Sequence, residues 1–223
     1  MHDVAGSAYA GAFDEIVGAL DAIPVSTASA RAAREPLDDV DVVIEGWVER
    51  IAVSDRATAL HSRAVGAWCH RIGLRLGLDG DQVLHATRCG TIHDVGKMLT
   101  PVDLLIAPRA LSLHEWGVMQ RHVIDGWNIV TDDRQLAAFS AAVRGHHERI
   151  DGRGYPDGLA GERIGLVTRI VTVADAFNAM IAVRPYRPAM SPTLAIAELE
   201  RHRGRQFDPD CVDAMVDVVL GRV

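Results

Sequence analysis

The chain has 223 residues, nearly half of them apolar and few of them aromatic, with a formal net charge of −7. That length and apolar content suit one sizeable core and exclude a disordered chain. The first 50 residues hold ten Asp and Glu against three Arg, which argues against duplex DNA as a partner, because a phosphate backbone calls for a basic face. No apolar run approaches the roughly 20 residues that span a bilayer. The start, with His2, Asp3 and Asp14, lacks the basic and apolar regions of a signal peptide. Cys69, Cys89 and Cys211 are isolated, with no CxxC pair. They read as thiols in a reducing compartment, so a cytoplasmic location without a membrane partner is expected.

Residues 1–39 read as a short acidic segment, partly helical. An apolar pattern from Phe13 to Leu20 is followed by Pro24 and a small-residue stretch from Ser26 to Ala33. From residue 40 onward helix signals recur. Val43, Ile44, Trp47, Val48 and Ile51 keep helical spacing, and Ala57 to Leu76 repeats it. Asp79-Gly80 punctuates the pattern before a helix from Asp81 to His93. Thr100-Pro101 reads as an N-cap with proline at the first helical position. Ser112 and Glu115 form a capping box for a helix running toward Val130. Asp132 or Asp133 caps a helix ending near Gly145, and Leu166–Ile181, Ser191-Pro192 to His202 and Asp208-Pro209 to Leu220 complete the set. Asp151 to Gly165, with five glycines, reads as the one irregular stretch. The expected fold is all-α with one long functional loop. Trp47, Trp68, Trp116 and Trp127 are expected in the core.

Several side chains carry chemistry. His93-Asp94, in the run Thr91 to Lys97, places a neutral nitrogen donor beside an anionic oxygen donor, a mixture suited to a transition metal. An aspartate has two oxygens and can bridge two cations. Lys97 lies four residues after His93, on the same face if the helix continues, where it can meet a phosphate. His146-His147-Glu148 leads into Asp151-Gly-Arg-Gly-Tyr-Pro156. Two adjacent histidines cannot share one face of a straight helix, but both can converge from a helix end. His61 and His122 taken alone fit a surface or satisfied core histidine as well as a ligand. Asp175 is an acid inside an apolar helical run, and a buried carboxylate must be paired or coordinate a metal.

Together, His61-Ser-Arg63, His93-Asp-Val-Gly-Lys97, His122, His146 to Pro156, Val173 to Phe177 and Arg184-Pro-Tyr-Arg187 resemble the HD-GYP phosphodiesterases across roughly residues 40–220. The resemblance implies an HD-superfamily helical bundle with a Gly-rich GYP loop, so that residues 40–223 would be the catalytic domain. It implies metal ligation by His61, His93, Asp94, His122, His146, His147 and Asp175, with Asp94 bridging two divalent transition metals, iron or manganese, with zinc left open. Some members add a glutamate one turn before the first histidine and hold a third metal. Ala57 stands there, so two metals are expected. The implied reaction is hydrolysis of cyclic di-GMP to linear pGpG, with GMP as a second product, by a hydroxide bridging the metals. Asp94 and Lys97 would be catalytic; Lys97, Gly154, Tyr155, Pro156, Arg184 and Arg187 would bind substrate. A homodimer, and a protein regulator engaging residues 1–39, are the further candidate partners. The rival readings are a catalytically silent cyclic di-GMP receptor and an HD phosphohydrolase acting on another nucleotide.

Overall fold

The computed structural model describes residues 38–182 and 189–222. The expectations for residues 1–37, and those for Arg184 and Arg187, lie outside the described residues. The described chain is helical and contains no β-strand, only isolated bridges pairing Asp151 with Ala160 and Arg203 with Phe207. In chain order the helices are α1 (Asp39–Ser54), α2 (Arg56–Arg75), α3 (Gly80–Ile92), α4 (Val102–Leu105), α5 (Leu113–Gln120), α6 (His122–Asp132), α7 (Ser140–Gly145), α8 (Leu166–Ile181), α9 (Pro192–Arg201) and α10 (Pro209–Leu220). Short 3-10 turns occupy Val95–Leu99, Ala137–Phe139 and Gly161–Arg163.

Capping chemistry fixes most of these starts. Asp55 accepts from the amides of Ala57 and Thr58 at the head of α2, and Asp79 and Gln82 form a reciprocal box at α3. The expected box of Ser112 and Glu115 opens α5. Ser191 and Asp208 cap α9 and α10, each with proline in the first turn.

Helices α2, α3 and α8 pack against one another at the centre. The α2–α3 contact is backbone-close because Gly66 and Gly90 face each other. A Cβ on Gly90 would lie 2.7 Å from Cys69 Sγ and 3.0 Å from Gly66 Cα, and one on Gly66 would lie 2.2 Å from Thr91 Oγ1. Phe177 of α8 meets Trp68 of α2 edge-on at 5.0 Å, within a core that includes Val65, Ile72, Ile170, Leu199 and Met215. This packing brings the second turn of α2, the end of α3 and the middle of α8 to one place.

Five local expectations need correction. Thr100 does not cap α4: its amide closes the preceding 3-10 turn on Lys97 O, and Pro101 stands at the cap of a single-turn helix. The helix expected from Ser112 toward Val130 breaks at Arg121, whose amide reaches back three residues to Val118 O, and α6 starts at His122. Asp133 does not open α7 directly; its carboxylate accepts from Gln135 N, and a 3-10 turn intervenes. Asp151 to Gly165 is therefore not the one irregular stretch, since residues 106–112 and 133–136 are also outside helices. Of the four tryptophans expected in the core, Trp68 is buried, Trp47 and Trp127 are half-buried, and Trp116 is 48% exposed.

Candidate metal centre

Seven side chains that the sequence singled out converge. His61 comes from the interior of α2, His93 and Asp94 from the end of α3, His122 from the start of α6, His146 and His147 from the end of α7, and Asp175 from α8. Donor atoms gather in two groups, the atoms within each lying no more than 4.8 Å apart: His61, His93 and Asp94 in one, His122, His146 and His147 in the other. Asp94 stands between them. Its Oδ2 faces His93 Nε2 at 3.3 Å and His61 Nε2 at 3.8 Å. Its Oδ1 faces His122 Nε2 at 3.4 Å and His146 Nε2 at 3.8 Å. Asp175 Oδ1 lies 3.0 Å from His61 Nε2 and 3.9 Å from His93 Nε2. One carboxylate thus presents a separate oxygen to each histidine group.

The donors suit a transition metal. Ring nitrogen Nδ1 is hydrogen-bonded to oxygen in His61, His93, His122 and His146, which leaves Nε2 directed inward. His93 Nε2 and Asp94 Oδ1 are buried without a hydrogen-bond partner, as expected of atoms whose partner is a cation. Burial, reinforced by the neighbouring His147 and His93, holds the His146 imidazole well below its ordinary pKa, and burial likewise pushes His147 down to about 3. Both rings are therefore neutral, as a metal ligand must be. Burial opposes the charge on Asp94, but Lys97 and His93 outweigh it and hold the carboxyl well below the usual range.

Lys97 is placed differently from the sequence expectation. The helix ends at Ile92 and a 3-10 turn follows, so Lys97 Nζ meets Asp94 Oδ2 at 2.5 Å rather than standing in line with His93. A close backbone contact seats this turn. A Cβ on Gly96 would lie 2.0 Å from His122 O and 2.4 Å from Gly126 N, so the turn carrying Asp94 rests directly on α6.

The loop after His147 folds back over the candidate ligands. Tyr155 stacks obliquely on His147, with ring centroids 4.9 Å apart, and Tyr155 N donates to His147 O at 3.3 Å. Burial raises the Tyr155 phenol, so it stays neutral. Tyr155-Pro156 is a cis peptide. Gly154 lies so near the preceding turn that a Cβ there would sit 2.4 Å from Glu148 Cα. Arg144 grips Asp157 with two bonds of 2.7 and 2.8 Å, and Arg149 pairs with Asp151.

Two residues without an assigned role in the sequence reading belong to this centre. Glu148, 1% exposed, accepts from the amides of Asp157 at 2.7 Å and Leu159 at 3.0 Å, tying the loop to the turn that bears His146 and His147. Its position beside the histidine pair was the available signal. Asn178 Oδ1 lies 2.7 Å from His61 Nδ1; its spacing of three from Asp175 put it on the same helical face. A cavity of about 240 Å³ between α3, α7 and the start of α8, lined by Leu78, His85 and Leu166 among others, contains none of these ligands.

Relatives share this arrangement's family. A model described as HD domain matches residues 47–211. A cyclic di-GMP phosphodiesterase response regulator of Xanthomonas campestris is 39% identical over 75% of this chain and 47% of its own length. A cyclic di-GMP phosphodiesterase of Pseudomonas aeruginosa is 38% identical over 76% of this chain and 41% of its own. A 3′3′-cGAMP-specific phosphodiesterase of Vibrio cholerae is 32% identical over 82% of this chain and 40% of its own. The matched region spans less than half the length of these relatives. Among solved structures, an HDG"Y"P protein from Bdellovibrio bacteriovorus superposes with a TM-score of 0.63 at 21% identity, covering 74% of this chain and 53% of that one. Matched over most of its length, the chain belongs to the HD domain family.

Proposed function

We propose that this chain is a metal-dependent phosphodiesterase that hydrolyses cyclic di-GMP to linear pGpG, with GMP as a second product, using two divalent metals, iron or manganese. The observation that carries the reading is Asp94, whose two oxygens each face a different set of histidine nitrogens. A pair of divalent metals held there would supply Lewis acidity and an activated water near neutral pH. In the reaction the water oxygen bonds to phosphorus, the bond to the 3′ ribose oxygen breaks, and that oxygen takes up a proton.

The chain's own residues orient and shield this chemistry. The ammonium of Lys97 holds Asp94 in place and offsets charge on the phosphoryl oxygens. The Gly154-Tyr155-Pro156 segment, seated on His147 and held by Glu148, walls one side of the substrate space. Arg184 and Arg187, which match family positions that contact the phosphates, are assigned to substrate binding.

Cyclic di-GMP is favoured because two relatives named as its phosphodiesterases match at 38 and 39% identity. The match at 32% to a 3′3′-cGAMP-specific enzyme supports that mixed dinucleotide as the second substrate to test. Assays of both substrates with manganese-loaded protein decide between them: cyclic di-GMP should turn over with the higher kcat/KM. Preference for 3′3′-cGAMP would reassign the substrate. Binding of cyclic di-GMP without cleavage of either would make the chain a receptor. We further assign the protein to the cytoplasm, with residues 1–39 engaging a regulator; among the described residues no helix is long and apolar enough to cross a membrane.

A further inference from the structure

Four of the five candidate ligand histidines are oriented in one of two ways. His93, His122 and His146 each place Nδ1 on the carbonyl three residues earlier: Gly90 at 2.7 Å, Met119 at 2.7 Å and Val143 at 2.9 Å. All three stand just beyond a helix end, since α3 stops at Ile92, α5 at Gln120 and α7 at Gly145. The last carbonyls of a helix lack intrahelical amide partners, so they are free to accept from a ring nitrogen. These three ligands carry their own orienting group in the local backbone.

His61 has no such device. It lies inside α2, whose Arg56–Arg75 span commits the neighbouring carbonyls to helical bonds. Its Nδ1 instead meets a side chain from another helix, Asn178 Oδ1 at 2.7 Å. Asn178 is 6% exposed and lies one turn after Asp175, whose carboxylate faces the other ring nitrogen of His61 at 3.0 Å. Accepting from Nδ1–H keeps that proton on Nδ1 and leaves Nε2 to donate to a cation. An amide oxygen does this without adding a charge to the site.

We propose that Asn178 is a positioning residue that assembles one half of the metal centre, the half built from His61, His93 and Asp94, while the half built from His122, His146 and His147 forms without it. This rests on the two-metal reading above. Substitution of Asn178 should therefore empty one site and spare the other, which a general loss of packing would not do.

The test is titration of Mn²⁺ into the full metal-stripped chain, with metal per chain counted after desalting and circular dichroism recorded on each variant. The variants are Asn178→Ala, the near-isosteric Asn178→Leu and Asn178→Asp, with His61→Ala as the reference for loss of that half. Asn178→Ala and Asn178→Leu should weaken one Mn²⁺ site about 10–100-fold, the usual cost of removing a hydrogen-bond partner of a metal ligand, and leave the other site unchanged. Asn178→Asp, which restores the acceptor, should recover the weakened site. Two undisturbed sites in folded Asn178→Leu would overturn the proposal, as would equal weakening of both sites or failure of Asn178→Asp to recover binding. Wild-type chain that takes up no metal would instead overturn the metal reading itself.

Discussion

At the scale of single residues, the centre depends on groups that are costly to bury unless they are partnered. Glu148 is nearly inaccessible, and both its oxygens are committed to loop amides. Glu148→Gln replaces one acceptor with a donor that faces an amide N–H. It should cost about 1–3 kcal/mol of stability and raise KM more than it lowers kcat, with metal content unchanged. Steady-state kinetics and metal analysis on one preparation check this; loss of metal with unaltered KM would contradict the loop-tethering role. The three cysteines are inert by the same logic. All are buried, and burial pushes the Cys89 thiol up to about 12 and raises those of Cys69 and Cys211. An aromatic disulfide reagent at pH 8 should label none of them in the folded chain and all three after denaturation.

At the scale of elements, close backbone contacts set the site's geometry. The turn from Val95 to Leu99 presses Gly96 onto the α6 backbone, and any side chain there meets His122 O and Gly126 N, neither of which can rotate away. Gly96→Ala should cost about 3 kcal/mol or more and reduce metal binding, because it separates Asp94 from His122. Gly46, inside α1 with open space where a Cβ would point, is the matching control. Gly46→Ala should stabilise by about 0.5–1 kcal/mol through helix propensity alone. Denaturant midpoints of the two variants measure both effects, and a harmless Gly96→Ala would show that the turn has room to move.

At the scale of the whole molecule, the all-α fold was legible because capping residues and helical periodicity agree along the chain: Ser112 with Glu115, Ser191 with Pro192 and Asp208 with Pro209 all start the helices they announce. The candidate ligands were legible because histidines beside acids are conspicuous and resemble a known pattern, and the fold brings these side chains together. What the sequence hid was local geometry. Extending an α-helix past Ile92 placed Lys97 in line with His93, whereas a 3-10 turn changes the angular step and brings Lys97 to Asp94. The break at Arg121 was hidden too, although it is what frees the end of α5 to orient His122. The contact of Asn178 with His61 was hidden for another reason: it exists only when α8 lies against α2, and it joins residues 117 apart in sequence.

In the function proposed here, His61, His93, Asp94, His122, His146, His147 and Asp175 hold a pair of metals that cut a cyclic dinucleotide. This is tested by the metal content of anaerobically purified protein, measured together with turnover of cyclic di-GMP, in the wild-type chain and in His93→Ala and Asp94→Ala. Wild type should carry two iron or manganese ions per chain and hydrolyse the substrate, and each variant should lose metal and turnover together. A metal-free variant that still cleaves cyclic di-GMP, or a fully loaded wild type that leaves it intact, would contradict the claim.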